Sequence, residues 1–99
     1  MNKLQKHYAA CAAIGCIVCR REGAGYVPAS VHHPWGRTNG NEFRVIGLCF
    51  SHHQSGVKTD LYVSRHPYRR AFLDKYGSEE SMLAEVDVLI EREKRGIAA

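Results

Sequence analysis

The chain has 99 residues, of which 44% are hydrophobic and 24% charged. These proportions are typical of globular proteins and exclude a mainly disordered chain, and the length predicts a single domain over residues 1–99. No apolar run approaches the roughly 18 residues that a membrane-spanning helix needs. The segment before Gly15 also lacks the apolar stretch of a secretory signal, so we expect a reducing, cytoplasmic setting and no membrane partner.

The net charge of +4 is unevenly distributed along the chain. Residues 1–76 contain 11 Lys and Arg against 4 Asp and Glu, whereas residues 77–99 contain 3 against 6. No basic amphipathic helix is visible. The distribution therefore favours a polyanionic partner over a membrane surface.

The first half of the chain predicts one helix and two short strands. Apolar spacing predicts a helix over 3–13 that ends at Gly15. Residues 26–33 and the segment 43–48 are rich in strand formers, and the breakers in 34–41 predict a loop between them. Two strands joined by a loop, with helices on both sides, indicate an α+β fold.

The second half predicts two helices. Pro67 suits the first position of a helix that continues to Tyr76, and Ser78 suits the N-cap of the last helix. The apolar stripe of that last helix is expected in the core; it consists of Met82, Leu83, Val86, Leu89 and Ile90. Trp35 and Tyr26 are also expected to pack in the core rather than to stack on a ligand.

Two pairs of residues with metal-ligand spacing flank the predicted hairpin. Two residues separate Cys16 from Cys19 and Cys49 from His52, and 29 residues lie between the pairs. A tight turn can aim both members of such a pair at one ion, and zinc takes four ligands in a tetrahedron. We therefore predict a structural Zn²⁺ that stabilises a small core. The alternative is that these thiols only fill the core, as we expect for Cys11.

Two His-His dipeptides lie at the ends of the predicted strands. Neighbouring side chains on a strand or helix point in different directions, so if His52 binds zinc, His53 faces elsewhere. Either His32 or His33 can then meet His53 across the hairpin, which leaves one imidazole free beside an ion. An ion with a free imidazole suits phosphodiester hydrolysis, because the imidazole accepts a proton from water and the ion neutralises the leaving oxygen.

In this order and spacing, these residues resemble the HNH (ββα-metal) nucleases. Over about residues 4–90, the chain is similar more narrowly to the phage recombination-enhancement, RecA-dependent nucleases and related prophage proteins. The runs that carry this resemblance are Gly15-Cys16-Ile17-Val18-Cys19-Arg20-Arg21, Val31-His32-His33, Leu48-Cys49 and the C-terminal helices with Tyr76-Gly77. It implies a zinc-stabilised ββα-metal core at about 14–60, an N-terminal helix, and a C-terminal helical part at about 66–95.

The resemblance also implies roles for individual residues. His32 and His53 bind the catalytic ion, and His33 is the general base. The family's middle Asn orients that base. Asn41 and Asn39 both lie in the loop, and Asn41 is preferred because it directly precedes the second strand.

The catalytic ion implied by the family is Mg²⁺ or Mn²⁺. His32 stands where many HNH enzymes have Asp, and two imidazoles favour softer ions such as Zn²⁺, Ni²⁺ or Mn²⁺ over Mg²⁺. Asp60 and His66 are candidates for a further ligand; for His66, which directly precedes Pro67, a helix cap or a surface position is the alternative.

The expected activity is endonucleolytic hydrolysis of DNA in phage or prophage recombination, in the cytoplasm of a bacterial host. No recognition helix is evident, so we expect little sequence specificity. A non-catalytic zinc-stabilised module that binds DNA or a recombinase is the main alternative, and a purely structural small zinc protein is a further one.

DNA is the expected partner, with a RecA-like recombinase filament as a further candidate. Only fifteen residues precede Cys16, where the recombination-enhancement nuclease has a longer basic extension, so RecA dependence stays open. Five basic residues are candidates for phosphate contacts, with a solvated basic face as the alternative: Arg37, Lys58, Arg65, Arg69 and Arg70.

Overall fold

The computed structural model describes residues 1–96, which form a two-stranded sheet and five helices. In chain order the elements are α1 (Lys3–Ile14), α2 (Ile17–Arg21), β1 (Ser30–His32), β2 (Ile46–Leu48), α3 (Phe50–His53), α4 (Arg69–Tyr76) and α5 (Glu79–Lys94). The α+β class predicted from the sequence is confirmed. No helix within the described residues is long and apolar enough to cross a membrane.

Local capping interactions set the limits of α1. The Asn2 side chain accepts from the Gln5 amide at 2.8 Å, and the Gln5 side chain accepts from the Asn2 amide at 3.0 Å. The helix ends at Gly15, whose φ of 83° suits glycine. Cys11 lies fully buried in the core, as predicted.

The antiparallel sheet is shorter than the sequence predicted. Its register pairs Ser30 with Leu48 and His32 with Ile46. Residues before Ser30 do not pair within it; Pro28, which has no amide hydrogen, lies in this stretch. Before β2, the Arg44 amide donates to the Asn41 carbonyl at 3.0 Å, so this segment forms a turn instead of a strand.

The C-terminal helices follow the prediction with one difference. Helix α4 begins at Arg69 rather than Pro67, because residues 65–67 form a turn that is tied to α3. There the Arg65 amide donates to the His52 carbonyl at 2.8 Å and the His66 amide to the His53 carbonyl at 2.9 Å. Helix α5 is capped by Ser78, as predicted.

The buried apolar side chains of α1, α2, β2, α4 and α5 form one cluster. The largest fully buried members include Phe72, Ile14 and Ile17. The prediction that Tyr26 packs in the core is wrong: its side chain lies on the outer side of Gly15 and is 59% exposed. Trp35 is half-buried beneath the Arg44 guanidinium, which lies 3.9 Å from the ring centroid.

Candidate metal centres and active site

The first cluster of potential metal ligands brings residues at the start of α2 together with residues of α3. Cys16 is the N-cap of α2 and Cys49 the N-cap of α3, while Cys19 and His52 lie one turn further along these helices. The Cys16 sulfur accepts a hydrogen bond from the Cys19 amide at 3.4 Å. The two-residue spacing in the sequence thus becomes one helical turn, which brings both members of each pair to the same side.

The distances between these side chains suit a tetrahedral ion. The Cys19 and Cys49 sulfurs lie 3.7 Å apart, and Nδ1 of His52 lies 3.2 to 3.6 Å from the three sulfurs. With Zn–S bonds of about 2.3 Å and Zn–N bonds of about 2.0 Å, tetrahedral ligands stand about 3.5 to 3.8 Å apart. The four residues could therefore hold a metal ion such as zinc.

The burial of the cluster makes the protonation state of its thiols depend on the presence of a cation. Burial raises the pKa of the Cys16 and Cys19 thiols, so without a cation they keep their protons at neutral pH. A divalent ion stabilises the thiolates and reverses this effect. All four cysteines are free of disulfides.

A second cluster contains three histidines from three parts of the chain. His32 ends β1, His53 ends α3, and His66 lies in the turn before α4. Their ring centroids lie 4.9 to 5.3 Å apart, and one nitrogen of each lies within 4.8 Å of the others. His32 and His53 are buried, whereas His66 is exposed. Three protein ligands with one open side are typical of catalytic metal sites.

Hydrogen bonds leave one nitrogen of His32 and one of His53 for an ion. Nε2 of His32 lies 3.0 Å from the Glu79 carboxylate, and Nδ1 of His53 lies 3.2 Å from the Ser30 hydroxyl. The nitrogens that remain are Nδ1 of His32 and Nε2 of His53. Burial, followed by the charges of His32 and His66, lowers the pKa of His53 to about 4, so its imidazole is neutral at pH 7. Neutral imidazole is the form that binds metals.

Glu79 connects the three histidines His32, His53 and His66, the histidine triad, to a buried arginine. Nε of Arg65 donates to the Glu79 carboxylate at 2.9 Å, and both side chains are buried. Burial alone raises the pKa of Glu79, but hydrogen bonds from His32 and Arg65 outweigh it and lower this pKa to about 2. The carboxylate is therefore ionised and fixes the orientation of His32.

The histidine triad lies in an open cleft of about 530 Å³, and His33 also lines it. Burial, followed by the charge of Arg37, lowers the pKa of His33, which favours the neutral imidazole. The hydrogen-bond partner of His33 is Tyr8, at 2.8 Å, rather than Asn41. Asn41 donates to the Trp35 carbonyl and accepts from Arg44, so its predicted contact with the base is absent among the described residues.

The family model described as "Recombination enhancement, RecA-dependent nuclease" matches residues 3–91. The chain belongs to this family. A search of curated proteins finds no match. The family description indicates a RecA-dependent nuclease that functions in recombination enhancement and therefore acts on DNA.

In this member of the RecA-dependent nuclease family, the two candidates for a further ligand of the catalytic ion, His66 and Asp60, lie in different places. His66 joins His32 and His53. Asp60 lines a separate hollow beside Cys19 and His52, and it belongs to neither cluster of potential metal ligands in residues 1–96.

The five basic residues predicted to contact phosphates separate into two groups in this family member. Arg37 and Arg65 line the histidine cleft, although Arg65 is buried and paired with Glu79. Lys58, Arg69 and Arg70 line a neighbouring concave surface together with Tyr68. A phosphate contact by any of them stays a prediction.

Three residues of the site in this RecA-dependent nuclease family member were missed by sequence reasoning. These residues are Tyr8 on α1, Ser30 on β1 and Glu79 at the start of α5, and none of them belongs to a motif with metal-ligand spacing. Their partners in the site lie 23 to 47 positions away along the chain. A search for local patterns has no means of finding such pairs.

Proposed function

We propose that this protein is an HNH-type, metal-dependent endonuclease that hydrolyses DNA phosphodiester bonds with little sequence specificity. The observation that carries the proposal is the convergence of His32, His53 and His66 in one cleft that His33 also lines. A cleft with metal-ligating imidazoles and a separate imidazole provides an ion and a general base at one place.

The order of elements around the cleft supports the assignment to the ββα-metal class. Strands β1 and β2 are followed directly by α3, so His32 comes from a strand end and His53 from the helix. The Cys₃His cluster includes Cys49, the N-cap of α3, and His52, the residue before His53. A structural zinc there would keep α3 against the sheet and thereby hold His53 in place.

We assign His32, His53 and His66 as the residues that would hold the catalytic ion. When bound, the ion supplies charge that polarises the phosphate and neutralises the departing 3′ oxygen. Three imidazoles suit Zn²⁺, Ni²⁺ or Mn²⁺ better than Mg²⁺, which prefers oxygen ligands.

The other residues of the cleft act on water and on the DNA backbone. His33 accepts a proton as the oxygen of a water molecule attacks phosphorus, and the P–O3′ bond breaks. The 3′ oxygen leaves, solvent supplies its proton, and a 5′-phosphate and a 3′-hydroxyl result. Arg37, an exposed cation at the same cleft, is placed to contact the phosphate.

The proposed setting is phage or prophage recombination in the bacterial cytoplasm, because the family description links its members to RecA. No base-reading element is proposed. The basic side chains around the cleft contact phosphates, and phosphate contacts position DNA without reading its sequence.

A plasmid-nicking assay tests the proposal. Zinc-loaded protein is incubated with supercoiled plasmid and Mg²⁺, Mn²⁺, Zn²⁺ or Ni²⁺, with and without a RecA–single-strand filament. We expect metal-dependent nicking that His33→Ala reduces about 10²- to 10⁴-fold. His7→Ala is the control, because His7 packs on Phe43 outside the cleft. Absence of nicking under every condition would favour a non-catalytic binding module, and unchanged nicking by His33→Ala would exclude His33 as the base.

A further inference from the structure

Tyr8 on α1 contacts both the candidate base and the loop that follows it. Its hydroxyl oxygen lies 2.8 Å from Nε2 of His33 and 3.0 Å from the backbone carbonyl oxygen of Glu42. The rings of Tyr8 and His33 pack edge to face at a centroid distance of 5.4 Å. The three groups therefore form a short chain from α1 through His33 to the loop.

The donors and acceptors in this chain determine which nitrogen of His33 carries the proton. A tyrosine hydroxyl has one hydrogen to donate, and a backbone carbonyl can only accept. Tyr8 therefore donates to Glu42 and must accept from His33. Nε2 of His33 is consequently protonated, which leaves the lone pair of Nδ1 free in the neutral imidazole.

We propose that Tyr8 is a positioning residue that fixes the Nε2–H tautomer of His33, so that Nδ1 is the atom that accepts the proton from the attacking water. The inference rests on the proposed function and adds an atom assignment to it. When Nδ1 gains the proton, Nε2–H still donates to Tyr8, so the same hydrogen bond holds the ring in both protonation states. Tyr8 is not among the residues that line the cleft, so it acts through His33.

The Glu42 carbonyl that accepts the hydrogen bond from Tyr8 is itself held in place. Two turns fix the backbone around it: the Asn41 amide donates to the Thr38 carbonyl at 3.1 Å, and the Arg44 amide donates to Asn41 at 3.0 Å. The Arg44 side chain also lies over Trp35. Because this acceptor is fixed, the hydroxyl of Tyr8 has a fixed direction, and its lone pair faces His33.

This arrangement gives Tyr8 the orienting role that the family resemblance implied for Asn41. The side chain of Asn41 contacts Trp35 and Arg44 and contributes to the loop that holds Glu42. Asn41 therefore stabilises the loop, whereas Tyr8 orients the imidazole of His33.

Steady-state nicking kinetics of zinc-loaded Tyr8→Phe protein test the proposal. The variant keeps the ring and loses only the hydroxyl. We expect kcat to fall about tenfold or more with KM nearly unchanged, because the wrong tautomer is inactive and DNA contacts are intact. Tyr26→Phe is the matched control, since Tyr26 is exposed and lies outside the cleft. Circular dichroism and zinc content check that both variants are folded.

Nitrogen NMR of the His33 ring provides a readout that does not depend on cleavage. We expect the wild-type protein to show the proton on Nε2 and Tyr8→Phe to show a mixture of both tautomers. A wild-type Nδ1–H tautomer, or identical spectra for the two proteins, would overturn the proposal.

Two results separate this inference from the proposed function. If His33→Ala is inactive while Tyr8→Phe keeps full kcat, the positioning role is wrong and the nuclease assignment stands. If the wild-type protein cleaves no DNA, the nuclease assignment fails, and the NMR result still decides whether Tyr8 sets the tautomer.

Discussion

The carboxylate of Glu79 accepts a hydrogen bond from Nε2 of His32 at 3.0 Å, across 47 positions of sequence. The side chains of both residues are at most 5% exposed. An ionised carboxylate can only accept, so Nε2 of His32 carries the proton and Nδ1 is the nitrogen left for an ion. The first residue of α5 therefore orients a candidate metal ligand on β1, and the C-terminal helix becomes part of the site.

Replacement of Glu79 should weaken metal binding at the histidine triad. We expect Glu79→Ala to reduce the affinity for Mn²⁺ about 10- to 100-fold, because the orientation and basicity of His32 are lost. It should also lower the free energy of unfolding by about 3 kcal/mol, since buried Arg65 loses its partner. Calorimetric titration of zinc-loaded protein measures the first effect. Glu79→Gln, which keeps an acceptor oxygen, should lie between wild type and Ala, and Glu80→Ala on the exposed side of α5 should change neither quantity.

Replacement of Cys19 should release zinc and unfold the protein. The free energy of binding a structural zinc, about 10 to 16 kcal/mol, is comparable to the whole stability of a small domain. We expect Cys19→Ser to lose about one zinc per chain and its cooperative thermal transition. Metal analysis and circular dichroism measure both. Cys11→Ala should keep its zinc, because Cys11 lies outside the cluster; retained zinc and an unchanged Tm in Cys19→Ser would contradict the Cys₃His assignment.

Replacement of single basic residues should change the salt dependence of DNA binding. Removal of one phosphate-binding cation reduces the slope of log K against log salt by about 0.9 on duplex DNA, because one fewer counterion is released. We expect this change for Arg37→Ala at the cleft and for Arg70→Ala on the neighbouring concave surface. Arg92→Ala, near the end of α5, should leave the slope unchanged. A slope that is unaffected by Arg37→Ala would mean that this residue belongs only to a solvated basic face.

Alanine at Gly47 should destabilise the junction between the sheet and α1. A Cβ atom at Gly47 would stand 2.5 Å from the backbone oxygen of Gly15, which cannot move without shifting the N-cap of α2. We expect a loss of about 3 kcal/mol in the free energy of unfolding. Gly23→Ala, where a Cβ meets open space but φ is 81°, should cost only about 1 kcal/mol. Equal costs in urea unfolding of the two zinc-loaded variants would show that the Gly15 backbone yields to the added Cβ, and that close approach does not make Gly47 sensitive.

Much of the candidate site follows from local sequence. The pairs Cys16–Cys19 and Cys49–His52 meet because a spacing of three positions becomes one helical turn at the start of α2 and α3. Ser78 and Gly15 mark helix ends for the same reason, since caps depend only on neighbouring residues. The strand lengths were overestimated because pairing, and not propensity, decides where a strand ends.

Tertiary structure alone decided which other side chains complete the site. It placed His66 with the other two histidines and Asp60 elsewhere. It also made Tyr8, instead of Asn41, the hydrogen-bond partner of His33. Arg65 became buried against Glu79. The sequence determined which chemistry the chain carries, because donor types and short spacings are local properties. The atoms that meet depend on how the elements pack, and contacts across tens of residues leave no periodic trace in the sequence.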